Sequence, residues 1–200
     1  SVKGRLLIAD EVGLGKTIEA GLILTEIRAR QTVLRVLVVC PANLAEKWQT
    51  ELDRRFGERF DILNAKLFER MLIDMSENPH GYSINGIISL EAVRRDDIRE
   101  LLESTSPNFD LVIIDEAHHL RNFGRKQRTA GLLLSESADG MIMLTATPIH
   151  LGSVNLFSLL NILDDEEFPD ALTVESRFKD NEPVIKAQSC LSHIPAKVQE

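Results

Sequence analysis

Three short stretches hold side chains whose types and spacing can do chemistry. The first is "DEVGLGKT", residues 10–17, which joins the apolar run "RLLIA" to a segment of helical character. A strand, a glycine-rich turn and a helix aim free backbone N–H groups at one point, and the helix dipole adds positive potential there. Val12, Gly13, Leu14, Gly15, Lys16 and Thr17 are the candidate phosphate cradle. Gly13 and Gly15 let the backbone close around a phosphate, Lys16 can reach the β- and γ-phosphates, and Thr17 can offer its hydroxyl to Mg²⁺. The general pattern G-x-x-x-x-G-K-[ST] wants glycine where this chain has Asp10, which is followed by Glu11. The strand before and the helix after support the reading; the bland alternative is a chance Gly-Lys-Thr turn.

The second stretch is "LVIIDEAHHL", residues 111–120. It puts Asp115 and Glu116 at the end of an apolar strand. An acid there can hold Mg²⁺, often through water, and the adjacent glutamate can orient and deprotonate an attacking water. The alternative is a strand-end turn with two solvated acids. The third is "LTATPIH", residues 144–150, where Thr145 and Thr147 are small hydroxyl donors able to sense a γ-phosphate. Alone it reads as an ordinary strand-to-loop turn. The first two, each at the carboxyl end of a strand and in this order, point to a nucleotide-phosphate site with Mg²⁺.

These groups need a scaffold that brings strand ends together. "RLLIA", "VLRVLVVC", "NGIIS", "FDLVIID" and "GMIMLT" are nearly all apolar, as strands covered on both faces should be. Helical patterns lie between them. Residues 17–30 carry Ile18, Leu22, Ile23 and Ile27 on roughly one face. Residues 43–56 open with an Asn43-to-Glu46 capping pattern and stop at Gly57. Residues 91–103 and 124–137 also read as helical. The alternation predicts an α/β domain, a parallel β-sheet with helices on both faces and ligands at the carboxyl ends of the strands. Residues 1–163 are read as this domain, and the acidic, weakly patterned residues 164–200 as a tail, or the start of an insertion or linker.

Bulk properties narrow the function classes. The chain has 200 residues, 44% of them hydrophobic, enough for one globular core. No apolar run approaches a membrane span, and no secretion signal opens the chain. Its start at Ser1, a few residues before a strand, suggests a piece of something longer. Cys40 and Cys190 lack metal-ligand spacing and read as reduced thiols. The net charge of −8 argues against a globally basic nucleic-acid binder. The balance is +2 over residues 1–60 and −5 over each of 61–163 and 164–200, so any nucleic-acid surface is local. Its candidates are Arg54, Arg55 and Arg59; Arg94, Arg95 and Arg99; and Arg121, Arg125, Lys126 and Arg128. Each group taken singly fits a solvated helix face.

Together "DEVGLGKT", "DEAHH" and "LTATP" resemble motifs I, II and III of the superfamily 2 helicases, and most of all the Swi/Snf-like DNA-dependent ATPases. Motif I of that family begins Asp-Glu, which accounts for the carboxylates at positions 10 and 11; Asp10 is expected to turn from the phosphates and bond backbone amides. "VCPANLAEKWQTEL" is similar to motif Ia, with Pro41, Leu44 and Trp48 in place, and "ISLEAV", residues 88–93, to motif Ib. Asn122 and "NLFSLLNIL", residues 155–163, add to the match. "EVGLGKTIEAG" leans to the bacterial branch that includes the RNA-polymerase-associated ATPase.

The resemblance implies a first RecA-like P-loop NTPase lobe that binds ATP and Mg²⁺. Lys16, Asp115 and Glu116 would serve catalysis, Thr17 and Asp115 the metal, and His118, Thr145 and Thr147 coupling. Pro41, Asn43 and Ser89 would grip DNA phosphates through backbone amides and hydroxyls, which needs no strongly basic surface. Trp48 reads better as a core anchor for helix 43–56 than as a base-stacking residue. The implied partners are double-stranded DNA, a second RecA-like lobe, and RNA polymerase or another DNA-bound protein, in the bacterial cytoplasm at the nucleoid. Two features of the family are not found: the adenine-reading glutamine motif, and motifs IV to VI with the arginine finger. The isolated chain should therefore be nearly inactive. Competing readings are the motor lobe of a restriction or phage-defence complex and a nucleotide-regulated binding module without turnover. A generic kinase or GTPase has no place for motifs Ia and III.

Overall fold

The computed structural model describes residues 4–9, 15–78, 82–122, 125–146 and 152–177. Six strands form one sheet: β1 Gly4–Ala9, β2 Arg35–Cys40, β3 Asp61–Leu63, β4 Ile84–Ser89, β5 Phe109–Ile114 and β6 Ala138–Thr145. Helices α1 Lys16–Arg30, α2 Ala45–Phe56, α3 Ala65–Glu77, α4 Leu90–Val93, α5 Asp96–Thr105, α6 Lys126–Glu136 and α7 Gly152–Leu163 connect and follow them. A further helical turn covers residues 171–177.

The strand order is β1-β6-β5-β2-β4-β3, and every pair is parallel. Alternation along β2 shows why its run is all apolar. Val36, Val38 and Cys40 join one core with Ala20 and Leu24 of α1 and Trp48 and Leu52 of α2. Leu37 and Val39 join the other, with Phe68 and Leu72 of α3, Ile98 of α5, Leu134 of α6 and Leu159 of α7. Steps of the chain towards β3 run over the first face and steps back towards β1 over the second, as a single crossover hand requires. The predicted parallel sheet with helices on both faces is what the chain forms.

Local chemistry sets the element ends. Helix α1 starts at Gly15, whose φ of 96° lies in the left-handed region that glycine enters freely. At Gly21 α1 runs so close to α2 that a Cβ would run into the Phe56 ring. Helix α2 stops at Gly57 as expected, but its start differs from the capping pattern. Residues Ala42–Leu44 form a 3₁₀ turn, closed by Leu44 N–H on the Pro41 carbonyl, and Leu44 is the N-cap without a side-chain bond. Asn43 lies inside that turn and does not cap α2. The helix expected over 91–103 is two helices, with Arg95 extended between them and its side chain paired with Asp97. Asp96 and Asp97 then begin α5, where negative charge suits a helix N-terminus.

Candidate functional site

Register brings the candidate groups to one edge. Thr145, the last residue of β6, is the partner of Ala9, the last residue of β1. Two residues earlier, Met143 pairs with Ile114, the last residue of β5. The ends of β1, β6 and β5 are therefore neighbours, with strands spaced about 4.8 Å apart. On the other side of β5, Asp115 N–H donates to the Val39 carbonyl of β2 at 2.8 Å, so the ladder holds the backbone of Asp115.

At the start of α1, Gly15 makes no side-chain cap; its carbonyl accepts from Ile18 and Glu19 N–H at 2.7 and 3.0 Å. A helix start without its own cap leaves backbone donors for an anion, and Lys16 is its first residue. Lys16 is close enough to Glu116 to oppose the rise of that carboxyl's pKa. Thr17, half-buried, follows on the first turn. Val12, Gly13, Leu14 and Thr147 lie outside the described residues, as do Asp10 and Glu11, so the expected turn of Asp10 onto backbone amides does too.

Asp115 is only 7% exposed. Its Oδ1 accepts from Glu116 N–H at 2.8 Å, and its Oδ2 accepts from the indole N–H of Trp48 at 2.8 Å. Glu116 sits in the left-handed region, φ 50° and ψ 43°, unusual for a residue with a Cβ. Burial first, then the charge of Asp115, pushes its carboxyl above the ordinary value, while Lys16 and His119 pull it down. His118 Nδ1 lies 3.1 Å from Glu116 Oε2 but is not aligned as a hydrogen bond. Burial, His119 and Arg121 lower the pKa of His118, which favours the neutral ring. Thr145 is 1% exposed, and its hydroxyl has no hydrogen-bond partner among the described residues.

The next strand ends carry the candidate DNA residues. Cys40 and Ser89 are register partners, so Pro41 and Asn43 leave the sheet beside Ser89. Asn43 is exposed; the Ser89 hydroxyl accepts from Ala92 N–H at 3.1 Å and keeps its own proton for an acceptor. The Cys40 thiol, buried beside Asp115 and Glu91, is pushed up to about 12 and stays protonated. Several of the basic groups are taken: Arg55 by Glu51, Arg95 by Asp97, and both Arg99 and Lys126 by Asp96. Arg128 departs from expectation. It is buried and donates to Ser158 and Asn161 of α7, so it belongs to the core.

Donor chemistry at this edge fits Mg²⁺. That ion keeps several waters and takes one or two carboxylates plus phosphate oxygens rather than an all-protein cage. Asp115 and Thr17 can supply the protein's share, and the described residues hold no cluster of three or more His, Cys, Asp or Glu at metal spacing. The Trp48 bond was missed from sequence. Its only signal was a tryptophan one turn into a helix that follows a strand end next to Asp115's strand. Glu19, on the first turn of α1 with a buried, unpartnered oxygen, was also missed.

A model of the SNF2-related domain matches residues 2–194. The RNA polymerase-associated protein RapA of Yersinia pseudotuberculosis serotype O:1b is 39% identical over 169 residues, covering 83% of this chain and 17% of the relative. RapA of Yersinia pestis strain Pestoides F is 38% identical over the same length. The chain thus spans under a fifth of these relatives. Among solved structures, the Sulfolobus solfataricus SWI2/SNF2 ATPase core in complex with dsDNA superposes with a TM-score of 0.66 at 24% identity, covering 92% of this chain and 36% of that one. The same core domain described without DNA gives 0.62 at 22%, covering 90% and 35%. No helix among the described residues is long and apolar enough to cross a membrane. With its all-parallel sheet and these matches, the chain belongs to the SNF2-related family and has the RecA-like fold of a SWI2/SNF2 ATPase core.

Proposed function

We propose that the chain is the first motor lobe of a DNA-dependent ATPase that moves along double-stranded DNA and displaces or remodels bound protein. One observation carries this reading. Lys16, at the start of α1, lies within electrostatic reach of Glu116, which follows Asp115 at the end of β5, and the Pro41 and Ser89 turns leave the same end of the sheet.

Each residue has a task there. Backbone N–H groups of the phosphate loop and Lys16 bind and orient the triphosphate. Thr17 and Asp115 would hold Mg²⁺, which when bound neutralises charge on the β- and γ-phosphates. Glu116 orients the attacking water and takes its proton; a carboxyl raised by burial is a stronger base than an ordinary one. The unpartnered hydroxyl of Thr145, with Thr147, would read the γ-phosphate. His118, beside Glu116, would link that state to the rest of the lobe. Pro41, Asn43 and Ser89 would hold phosphates of one DNA strand. RNA polymerase is the proposed protein target, because the curated relatives are named for that association; the proposed setting is the bacterial nucleoid.

The test is phosphate release. A second lobe would supply the arginine that stabilises the leaving γ-phosphate, a contribution of roughly 10³–10⁵ in rate in other phosphate-loop enzymes. The isolated chain should hydrolyse ATP barely above background with little response to duplex DNA. A protein carrying both lobes should be stimulated by DNA, and Glu116→Gln there should stop turnover while ATP stays bound. Strong DNA-stimulated hydrolysis by the isolated chain would show that its site is not split. A two-lobed protein inactive on every duplex would favour the binding module without turnover.

A further inference from the structure

The contact between Trp48 and Asp115 joins two parts of the edge that the proposed function keeps separate. Trp48 is 1% exposed, packed on α2 among Ala45, Leu52, Val38 and Cys40. For packing alone a phenylalanine would serve. A buried indole N–H needs an acceptor, and here it has the carboxylate at the end of β5, at 2.8 Å. Each carboxylate oxygen offers two lone-pair directions. Glu116 N–H occupies one on Oδ1 and the indole occupies one on Oδ2. The two bonds fix the rotation of the carboxylate and leave one direction on each oxygen for a metal-bound water.

We propose that Trp48 is a positioning residue: its indole N–H orients the metal-holding carboxylate of Asp115 and links it to the helix that starts at the Pro41–Leu44 turn. Helix α2 begins at Ala45, directly after that turn, and Trp48 lies on its first turn. Any shift of the turn against a DNA phosphate moves the indole, and with it the carboxylate. The far end of α2 is held as well, with Phe56 packed against Gly21 of α1. The inference rests on the reading of Asp115 as a metal holder.

Trp48 is the chain's sole tryptophan, so a ¹⁵N-labelled sample gives one indole N–H cross-peak. The 200-residue chain would be titrated with a non-hydrolysable ATP analogue, first in EDTA and then with rising Mg²⁺. The indole peak should move when Mg²⁺ is added to the nucleotide-bound chain. In Asp115→Asn it should start from a different position and lose that response. Trp48→Phe keeps most of the packing and removes the donor. It should leave nucleotide affinity in EDTA unchanged and raise the Mg²⁺ needed for half-saturation about 10–100-fold, the usual effect of losing a group that orients a metal ligand. A merely structural tryptophan would lower the melting temperature without moving that midpoint. If Mg²⁺ strengthens nucleotide binding through Asp115 while the indole peak stays still, the inference fails and the site reading stands. If Mg²⁺ leaves nucleotide binding unchanged in the wild-type chain, both fail. The wild-type titration decides this even if Trp48→Phe does not fold.

Discussion

Glu116 should be a residue that the fold tolerates at a cost, and removing its charge should stabilise the chain. Three features act on it. Its backbone is left-handed, which costs a residue with a Cβ about 1–2 kcal/mol. Its side chain is 25% exposed, and burial opposes its charge. Asp115 adds like-charge repulsion. The sign follows from the raised pKa. A carboxyl whose folded pKa lies above its unfolded value of 4.5 favours folding when protonated; that contribution is present below the unfolded value and is lost as pH rises through the folded one. At neutral pH the ionised Glu116 therefore opposes folding. Glu116→Gln should melt higher than wild type there, and the gap should close as pH falls below the ordinary carboxylate range. Glu116→Gly also relieves the backbone, offset by about 0.5–1 kcal/mol of glycine entropy. The net backbone gain of about 0–1.5 kcal/mol corresponds to at most about 6 °C in a chain of this size. Calorimetric melting of wild type and both variants across a pH series checks this. A Glu116→Gln variant that melts lower at neutral pH, or a gap that ignores pH, would show that the charge of Glu116 does not oppose folding.

Two further outcomes follow from the same edge. Lys16→Ala should weaken ATP and ADP binding about 10–100-fold, the loss of one charge-assisted hydrogen bond of about 1.5–3 kcal/mol; titration with a fluorescent nucleotide at fixed Mg²⁺ measures it, and equal affinities would rule out the phosphate cradle. Duplex binding by the chain should be weak, indifferent to sequence and reduced by salt, as phosphate contacts require; anisotropy with two unrelated duplexes across a salt series tests this, and a strong preference for one duplex would rule out the Pro41, Asn43 and Ser89 assignment.

Long apolar strands were legible because their signal is local. A strand buried on both faces has no room for polar residues, so its apolar run marks it without reference to any partner. What escaped depends on neighbours. β3 is three residues long, Asp61–Leu63, too short for any periodicity, and exists because β4 offers an edge. The Asn43–Glu46 pattern fails because Pro41 begins a 3₁₀ turn through Asn43, while a capping side chain needs an extended residue before the helix. The break at Arg94 and Arg95 is a backbone event, an extended Arg95 between two helices, which the continuous helical pattern of the sequence does not show. Arg128 looked like surface charge because its acceptors, Ser158 and Asn161, are thirty residues away. In the site, side-chain types were readable but not their pairing: Trp48 and Asp115 are sixty-seven positions apart.

Because every strand runs the same way, the sheet has two edges of opposite character. The candidate site occupies one. The other collects the returns from helix to strand: residues 31–34, 57–60 and 106–108, with Gln31, Thr32, Gly57 and Asn108 exposed. Chain can be added at these returns without passing near the candidate site. A reporter dye, an affinity tag or an inserted module placed between Gln31 and Thr32 would stand a full strand length from Lys16. The fold thus separates where the molecule can be altered from where it must stay fixed.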